Sequence, residues 1–194
     1  LSRKEDLLNL LYLHGFNSSP DSTKAKIFKS FVKKKKSKSL LVPDLPISPK
    51  ETILLLEEII KAHKKEVSLI GSSLGGFYAA YLAEKYKLKS VLINPVISSH
   101  LKNMKGLIGE HENYNTGEKY FFSKSNFKEL FDYKIRRFSI PLDQLFLLQL
   151  GDEVLDQKKT LKHNKDSFSL VEDEGSHKFE NFEKYLSLIY DFMT

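Results

Sequence analysis

No cysteine occurs in the 194 residues, which removes disulfide frameworks and thiolate metal sites from consideration. No apolar run approaches the roughly 20 residues that a membrane-spanning helix needs. Histidines and carboxylates never cluster at metal-ligand spacing, and no glycine-rich stretch has the form of a phosphate cradle. We therefore expect no metal, no cofactor and no membrane partner. Internal repeats and low-complexity boundaries are missing as well, so residues 1–194 read as one domain. The opening Leu1-Ser2-Arg3-Lys4-Glu5-Asp6 is charged and runs straight into a strand-like segment. It does not resemble a secretory signal, and the expected location is the cytoplasm.

What is present is a globular composition, with 41% hydrophobic and 29% charged residues and a net charge of +6. The densest basic run, Lys33-Lys34-Lys35-Lys36 with Lys38, closes a predicted helix, where lysines complement the dipole and stay hydrated. A polyanion surface needs arginines and stacking aromatics beside such lysines, but Phe28 and Phe31 have core-like spacing. The run reads as a solvated helix end, and nucleic acid is not an expected partner.

Apolar runs and amphipathic stretches alternate through most of the chain, the pattern of a parallel sheet flanked by helices. Strand-like runs start at Leu7, Leu40, Val67, Ser90, Leu145 and Ser167. Between them, Ile27, Phe28, Phe31 and Val32 share one helical face, as do Ile53, Leu56, Ile59 and Ile60. Ser48-Pro49-Lys50-Glu51 reads as a capping box with proline at the first helical position. The closing helix is predicted to carry Phe179, Phe182, Leu186, Ile189 and Met193 on one stripe. Alternation lapses over residues 96–140, a stretch too aromatic for a disordered linker, with a short helical patch at Asn126 to Phe131. We read it as a small cap inserted after the strand that follows the Phe77–Tyr86 helix. The expected fold is α/β, with about six parallel strands.

The chemistry concentrates at Gly71-Ser72-Ser73-Leu74-Gly75, between the run Val67-Ser68-Leu69-Ile70 and the helix-like stretch from Phe77. A G-x-S-x-G at a strand-to-helix junction can form a nucleophile elbow that holds its central serine in strained backbone. A Cβ at Gly71 or Gly75 would crowd the neighbouring strand and helix. Asp152 follows the strand-like run ending at Leu150, and His177 follows the one ending at Val171. Both sit where open α/β sheets place their sites, and Ser, Asp, His is the chain order of α/β-hydrolases. Leu13-His14-Gly15-Phe16 ends the first strand, so the Phe16 and Leu74 amides are the expected oxyanion donors.

A serine hydroxyl attacks only if a base takes its proton, and an ordinary histidine value of about 6.5 suits that traffic. Ser73 is thus the candidate nucleophile, His177 the base and Asp152 the acid that orients it. Asp156 is the second candidate acid but suits the N-cap of the next helix, and Glu153 is the third. Ser72 is expected to face the core and His14 to shape the oxyanion loop. His63 and His163 lie on charged faces and read as solvated, while His100 and His111 fall in the cap.

These segments resemble the small bacterial YqiA-like esterases of the α/β-hydrolase superfamily over nearly the whole chain. The resemblance rests on Tyr12 to Pro20, Gly71 to Ala79, Asn94-Pro95, Gly151 to Asp156 and Gly175-Ser176-His177, with Asn113 to Glu118 the most family-specific piece. The chain departs from it at Val96-Ile97-Ser98-Ser99, which carries no basic or aromatic residue. The resemblance implies hydrolysis of short acyl esters by Ser73, Asp152 and His177. The expected function is a serine esterase acting on a small-molecule acyl ester. An acyl-thioesterase with the same residues, or a binding protein that keeps the fold without turnover, are the alternatives.

Overall fold

The apolar runs assemble into one six-stranded sheet. The computed structural model describes residues 8–35 and 39–194. The opening residues Leu1 to Leu7, and Lys36 and Lys38 of the basic run, lie outside the described residues. In chain order the elements are β1 (Leu8–Leu13), α1 (Thr23–Lys35), β2 (Ser39–Leu41), α2 (Pro49–Ala62), β3 (Ser68–Ser72), α3 (Leu74–Tyr86) and β4 (Ser90–Ile93). They continue with β5 (Gly109–Glu112), β6 (Lys119–Phe122), α4 (Lys124–Glu129), β7 (Gln144–Gln149), α5 (Gln157–His163), β8 (Phe168–Glu172) and α6 (Leu186–Met193). The main sheet has the order β2-β1-β3-β4-β7-β8, and every pairing in it is parallel.

That order positions the site. The chain places β2 on one side of β1 and β3 on the other, so a crevice opens between the carboxyl ends of β1 and β3, the topological switch point where such sheets bind ligands. Leu13 and Gly71 are register partners there.

Strand residues alternate between two cores. Leu11, Leu13, Leu69, Leu92 and Phe146 pack with α2 and α3, while Leu10, Tyr12, Ile70, Val91 and Leu145 pack with α1 and α6. Because helices cover both faces, the strands read as continuous apolar runs rather than as alternating ones. α2 begins at Ser48, whose Oγ accepts from the Glu51 amide at 3.2 Å. The carboxylate that completes this terminus is not Glu51 but Glu129 of α4, which accepts from Ser48 Oγ at 2.8 Å and the Lys50 amide at 3.1 Å. The closing stripe is correct in its residues and too long in its helix. Phe179, Phe182, Ile189 and Met193 are buried, but Phe179 has φ +59° and Asn181 φ +54°, so helix starts only after them.

The stretch after β4 is less irregular than its sequence suggests. β5 and β6 form a separate antiparallel pair, turned by residues 113–117, where Asn113 Oδ1 accepts from the Asn115 and Thr116 amides at 2.9 and 3.2 Å. Its helix runs Lys124–Glu129 and continues as a 3-10 turn, Leu130–Tyr133. Leu101, Phe122, Phe127 and Leu130 of this stretch join the core of α2 and α3.

Where β1, β3 and α3 converge there is no room for a side chain. A Cβ at Gly75 would stand 2.2 Å from the Leu13 carbonyl oxygen and 2.4 Å from that of His14; one at Gly71 would stand 2.3 Å from the Gly75 oxygen. These contacts are with backbone and cannot be relieved by a rotamer change. Gly75→Ala is therefore expected to lose about 1–3 kcal/mol of stability through overpacking. Chemical denaturation measures this, and a variant as stable as the parent would contradict the packing described.

Candidate active site

Ser73 stands between the last residue of β3 and the first of α3, at φ +55° and ψ −119°. A non-glycine residue there costs on the order of 1–3 kcal/mol and persists only where its surroundings enforce it. The enforcement is visible. The Ser73 amide donates to the Ile93 carbonyl at 3.0 Å, and the Ser73 carbonyl accepts from the Val96 amide at 3.0 Å and the Phe77 amide at 3.2 Å. The turn leaves the Ser73 side chain partly exposed while Ser72 is buried.

The structure brings Ser73, His177 and Asp152 into one hydrogen-bonded line. Ser73 Oγ lies 2.9 Å from His177 Nε2, and His177 Nδ1 lies 3.0 and 2.9 Å from the two Asp152 oxygens. With the Nδ1 hydrogen directed at the carboxylate, Nε2 is left to accept from the serine hydroxyl. The Asp152 side chain is 0% exposed and that of His177 is 22% exposed, so of this pair only the imidazole reaches solvent. Asp152 also accepts from the Val154 and Leu155 amides at 2.9 Å each, and from Gln157 Nε2 at 2.8 Å. Burial pushes its carboxyl up, but the bonds from His177, Gln157 and Leu155 outweigh burial and hold it below the ordinary value.

The other two candidate acids lie elsewhere. Glu153 is exposed and accepts from the His177 backbone amide at 3.0 Å, which lowers its carboxyl. Asp156 occupies the N-cap of α5 without a side-chain cap bond and pairs with Lys159 at 3.2 Å.

Two buried amides, to which the sequence assigned no role, fix the His177 loop. Asn94, fully buried at φ +37°, donates through Nδ2 to the Ser176 carbonyl at 2.9 Å, and its Oδ1 accepts from the Gln149 amide at 2.9 Å. Gln149 Oε1 accepts from the Ser176 and Glu180 amides at 3.2 and 2.8 Å. Asn94 stood out only as part of the Asn94-Pro95 segment of the family resemblance, and Gln149 only by its place at a strand end. Gly175, at φ +89°, passes so close to Gln149 that a Cβ would lie 2.3 Å from its amide carbon.

The loop after β1 runs against the serine: a Cβ at Gly15 would stand 3.3 Å from Ser73 Cβ. Neither the Phe16 nor the Leu74 amide donates to another group among the described hydrogen bonds. His14 is buried, its Nδ1 donating to the Gly15 carbonyl at 3.1 Å and its Nε2 accepting from the Leu45 amide at 3.3 Å. Asn17 ties the loop to the β5–β6 turn, because its carbonyl accepts from the Tyr114 amide at 2.8 Å and its Oδ1 accepts from the Tyr120 hydroxyl. His111 meets the Phe16 ring edge-on at 4.8 Å between centroids.

The remaining histidines are structural or exposed. His100 is buried, donating from Nε2 to the Asp156 carbonyl at 3.1 Å while Nδ1 accepts from the Ile97 amide. His163 is exposed, but His63 is half-buried and bonds the Ile59 carbonyl at 2.7 Å, so it caps α2 rather than standing in solvent. Among the described residues no group of three or more His, Asp or Glu could hold a metal, and no helix is long and apolar enough to cross a membrane.

Two cavities flank Phe16. One, of about 270 Å³, is walled by Leu45, Pro46, Leu74, Tyr78 and Tyr120. The other, of about 470 Å³, is walled by Ser73, His177, Lys178, Lys24, Glu153 and Tyr114.

Burial lowers the pKa of both His14 and His100, against raising contributions from the Gly15 carbonyl and from Asp156 respectively. Both are held neutral, so the unfolded chain binds the extra protons. The stability they contribute is complete above about 6.5, the ordinary histidine value, and declines as pH falls toward the depressed native values. Denaturation at pH 7 and pH 5 should show a steeper loss for the parent than for His14→Asn; equal slopes would contradict a neutral buried His14.

The chain matches the family model described as "Uncharacterised protein family (UPF0227)" over residues 9–194. It is 26% identical over 198 residues to the UPF0227 protein YcfP of Escherichia coli O9:H4 (strain HS), spanning 95% of this chain and 98% of that one. A UPF0227 protein of Citrobacter koseri is 27% identical over 193 residues, with the same spans. Among solved structures, a putative hydrolase from Agrobacterium vitis S4 superposes with a TM-score of 0.78 at 15% identity, covering 96% of this chain and 88% of that one. Mouse alpha/beta hydrolase domain-containing protein 10 gives 0.74 at 16% identity, covering 100% and 96%. Est1E from Butyrivibrio proteoclasticus with bound ferulic acid gives 0.69 at 13% identity, covering 96% and 88%. The fold is that of the α/β-hydrolases, and the chain belongs to the UPF0227 family, as its YqiA-like segments indicated.

Proposed function

We propose that the protein is a serine hydrolase that cleaves short-chain carboxylic esters through an acyl-Ser73 intermediate. The observation that carries this reading is the pair of contacts at His177: Ser73 Oγ at 2.9 Å from Nε2 and Asp152 at 2.9 and 3.0 Å from Nδ1. In this mechanism Ser73 Oγ attacks the ester carbonyl as its proton passes to His177 Nε2. Asp152, ionised and buried, stabilises the imidazolium. The carbonyl oxygen, now an anion, accepts from the Phe16 and Leu74 amides, a contribution of about 2.7–4 kcal/mol per donor in comparable sites. The tetrahedral intermediate expels the alcohol, which takes the proton from Nε2. Water then repeats the sequence on the acyl-serine and frees the acid.

Residues 96–140 act as the cap over this centre. A short acyl group fits the cavity beside Leu74 and Tyr78, whose walls mix apolar residues with Asp44, Asn113, Thr116 and Glu118, and the cleft bordered by His177 receives the departing alcohol, since the proton must reach it from Nε2. Solved proteins of the same fold that are named as esterases, among them an esterase of Pyrococcus furiosus, support the class of reaction.

A fluorophosphonate probe should label the parent protein and leave Ser73→Ala unlabelled, with kcat for p-nitrophenyl esters falling at least about 10³-fold in that variant. An unlabelled parent that hydrolyses no such ester would leave the binding-protein reading in its place. Matched oxygen esters and thioesters separate the esterase from the thioesterase, and we expect the higher kcat/KM for the oxygen ester. kcat/KM should also rise with pH to a plateau as the base loses its proton; a flat profile from about pH 5 to 8 contradicts a histidine base.

A further inference from the structure

The cleft on the His177 side of Ser73 is cationic. Lys24, half-buried in the first turn of α1, donates from Nζ to the Lys178 carbonyl at 2.7 Å, and Lys178 directly follows His177. Both residues line the cavity that Ser73 and His177 border. Neither forms an ion pair among the described residues. Among the described residues Glu153 is the one carboxylate in that lining, and its Oε2 accepts from the His177 amide at 3.0 Å. Asp21, three residues before Lys24 and outside that lining, is paired with Lys26 at 3.5 Å. Ser22, in the same wall, keeps a buried Oγ with no hydrogen-bond partner among the described residues.

Two cationic residues, Lys24 half-buried and Lys178 exposed, border a cleft whose one carboxylate among the described residues, Glu153, is already engaged by the His177 amide. Burial first, and repulsion from Lys178 second, push the Lys24 pKa down to about 8. An anion between them would reverse both effects, as a charge-assisted hydrogen-bond acceptor for each lysine. The position of the pair says which part of a substrate would carry that anion. His177 delivers its proton to the departing oxygen, so the alcohol occupies the cleft that His177 and Lys178 border, away from Leu74 and Tyr78.

We propose that this cleft binds an anionic leaving alcohol, so that the preferred substrates are esters of small hydroxy acids or phosphorylated alcohols, with Lys24 and Lys178 as the residues that recognise the anion. The proposal rests on the acyl-Ser73 reading for its chemistry. The acyl–Oγ bond forms, the acyl–oxygen bond to the alcohol breaks, and the His177 proton goes to that oxygen. The carboxylate or phosphate leaves unchanged. Water then takes the acyl group.

The test compares 4-acetoxybenzoate and 4-acetoxyphenyl phosphate with neutral phenyl acetate, in the parent and in Lys24→Met/Lys178→Met. We expect the ratio of kcat/KM, anionic over neutral ester, to fall at least about tenfold in the double variant, the effect of losing a charged hydrogen bond. The larger ratio in the parent identifies carboxylate or phosphate as the preferred anion. A ratio that the double substitution leaves unchanged overturns the proposal. Calorimetry on Ser73→Ala with 4-hydroxybenzoate and 4-hydroxyphenyl phosphate reads the same cleft without turnover, with circular dichroism confirming that each variant is folded. Binding that weakens at least about tenfold with the lysines replaced supports the anion cleft even if no ester is hydrolysed, in which case only the esterase reading fails. Absence of binding by both alcohols, or binding indifferent to the lysines, overturns the proposal.

Discussion

The constraint on which the site depends is a backbone one, the left-handed turn at Ser73 between β3 and α3. Its φ of +55° is unfavourable for serine, and the fold holds it by closing α3 onto the carboxyl end of β1. Gly75 lies so near the Leu13 and His14 carbonyls that no side chain fits, and Gly71 lies as close to Gly75. The same approach that strains the serine brings the loop carrying Phe16 against it. Local strain, strand order and the position of two amides without a partner among the described residues are therefore one geometric fact rather than three.

The far end of the hydrogen-bonded line is held by different means. His177 follows an edge strand, and edge strands bring few neighbours. Asn94 and Gln149 supply what the sheet does not. They reach from the carboxyl ends of β4 and β7 to the backbone around Ser176 and Glu180, with each polar atom engaged. A buried amide left half-bonded would cost more than it contributes, and these are satisfied on both sides. The histidine is thus positioned through its backbone, and its ring by a carboxylate that is itself fixed by two amides and Gln157.

Much of this was legible in the residues. The six strands, their helices and the places of Ser73, Asp152 and His177 at strand ends follow from apolar periodicity and from glycines that permit close approach. What the sequence concealed depends on contacts distant in the chain. Glu129 completes the start of α2 from some 80 positions away, where the local pattern pointed to Glu51. The β5–β6 pair was hidden because Gly109-Glu110-His111-Glu112 has little strand preference of its own and is held by docking its turn on Asn17. Phe179 kept its place in the core but not in a helix, because burial and helical spacing coincide over one turn and the backbone at φ +59° then breaks it. The pairing of Lys24 with the residue after His177 joins opposite ends of the chain, and composition could report only that positive charge was in excess.

The central claim is that one serine oxygen and two backbone amides meet a single carbonyl group. A crystal structure of the protein treated with a phosphonate ester measures this most directly. The account predicts a phosphorus–oxygen bond to Ser73 Oγ, with the phosphonyl oxygen about 2.7–3.1 Å from the Phe16 and Leu74 nitrogens. A phosphonyl oxygen that turns away from both amides, or phosphorus bound to any other residue, would contradict it.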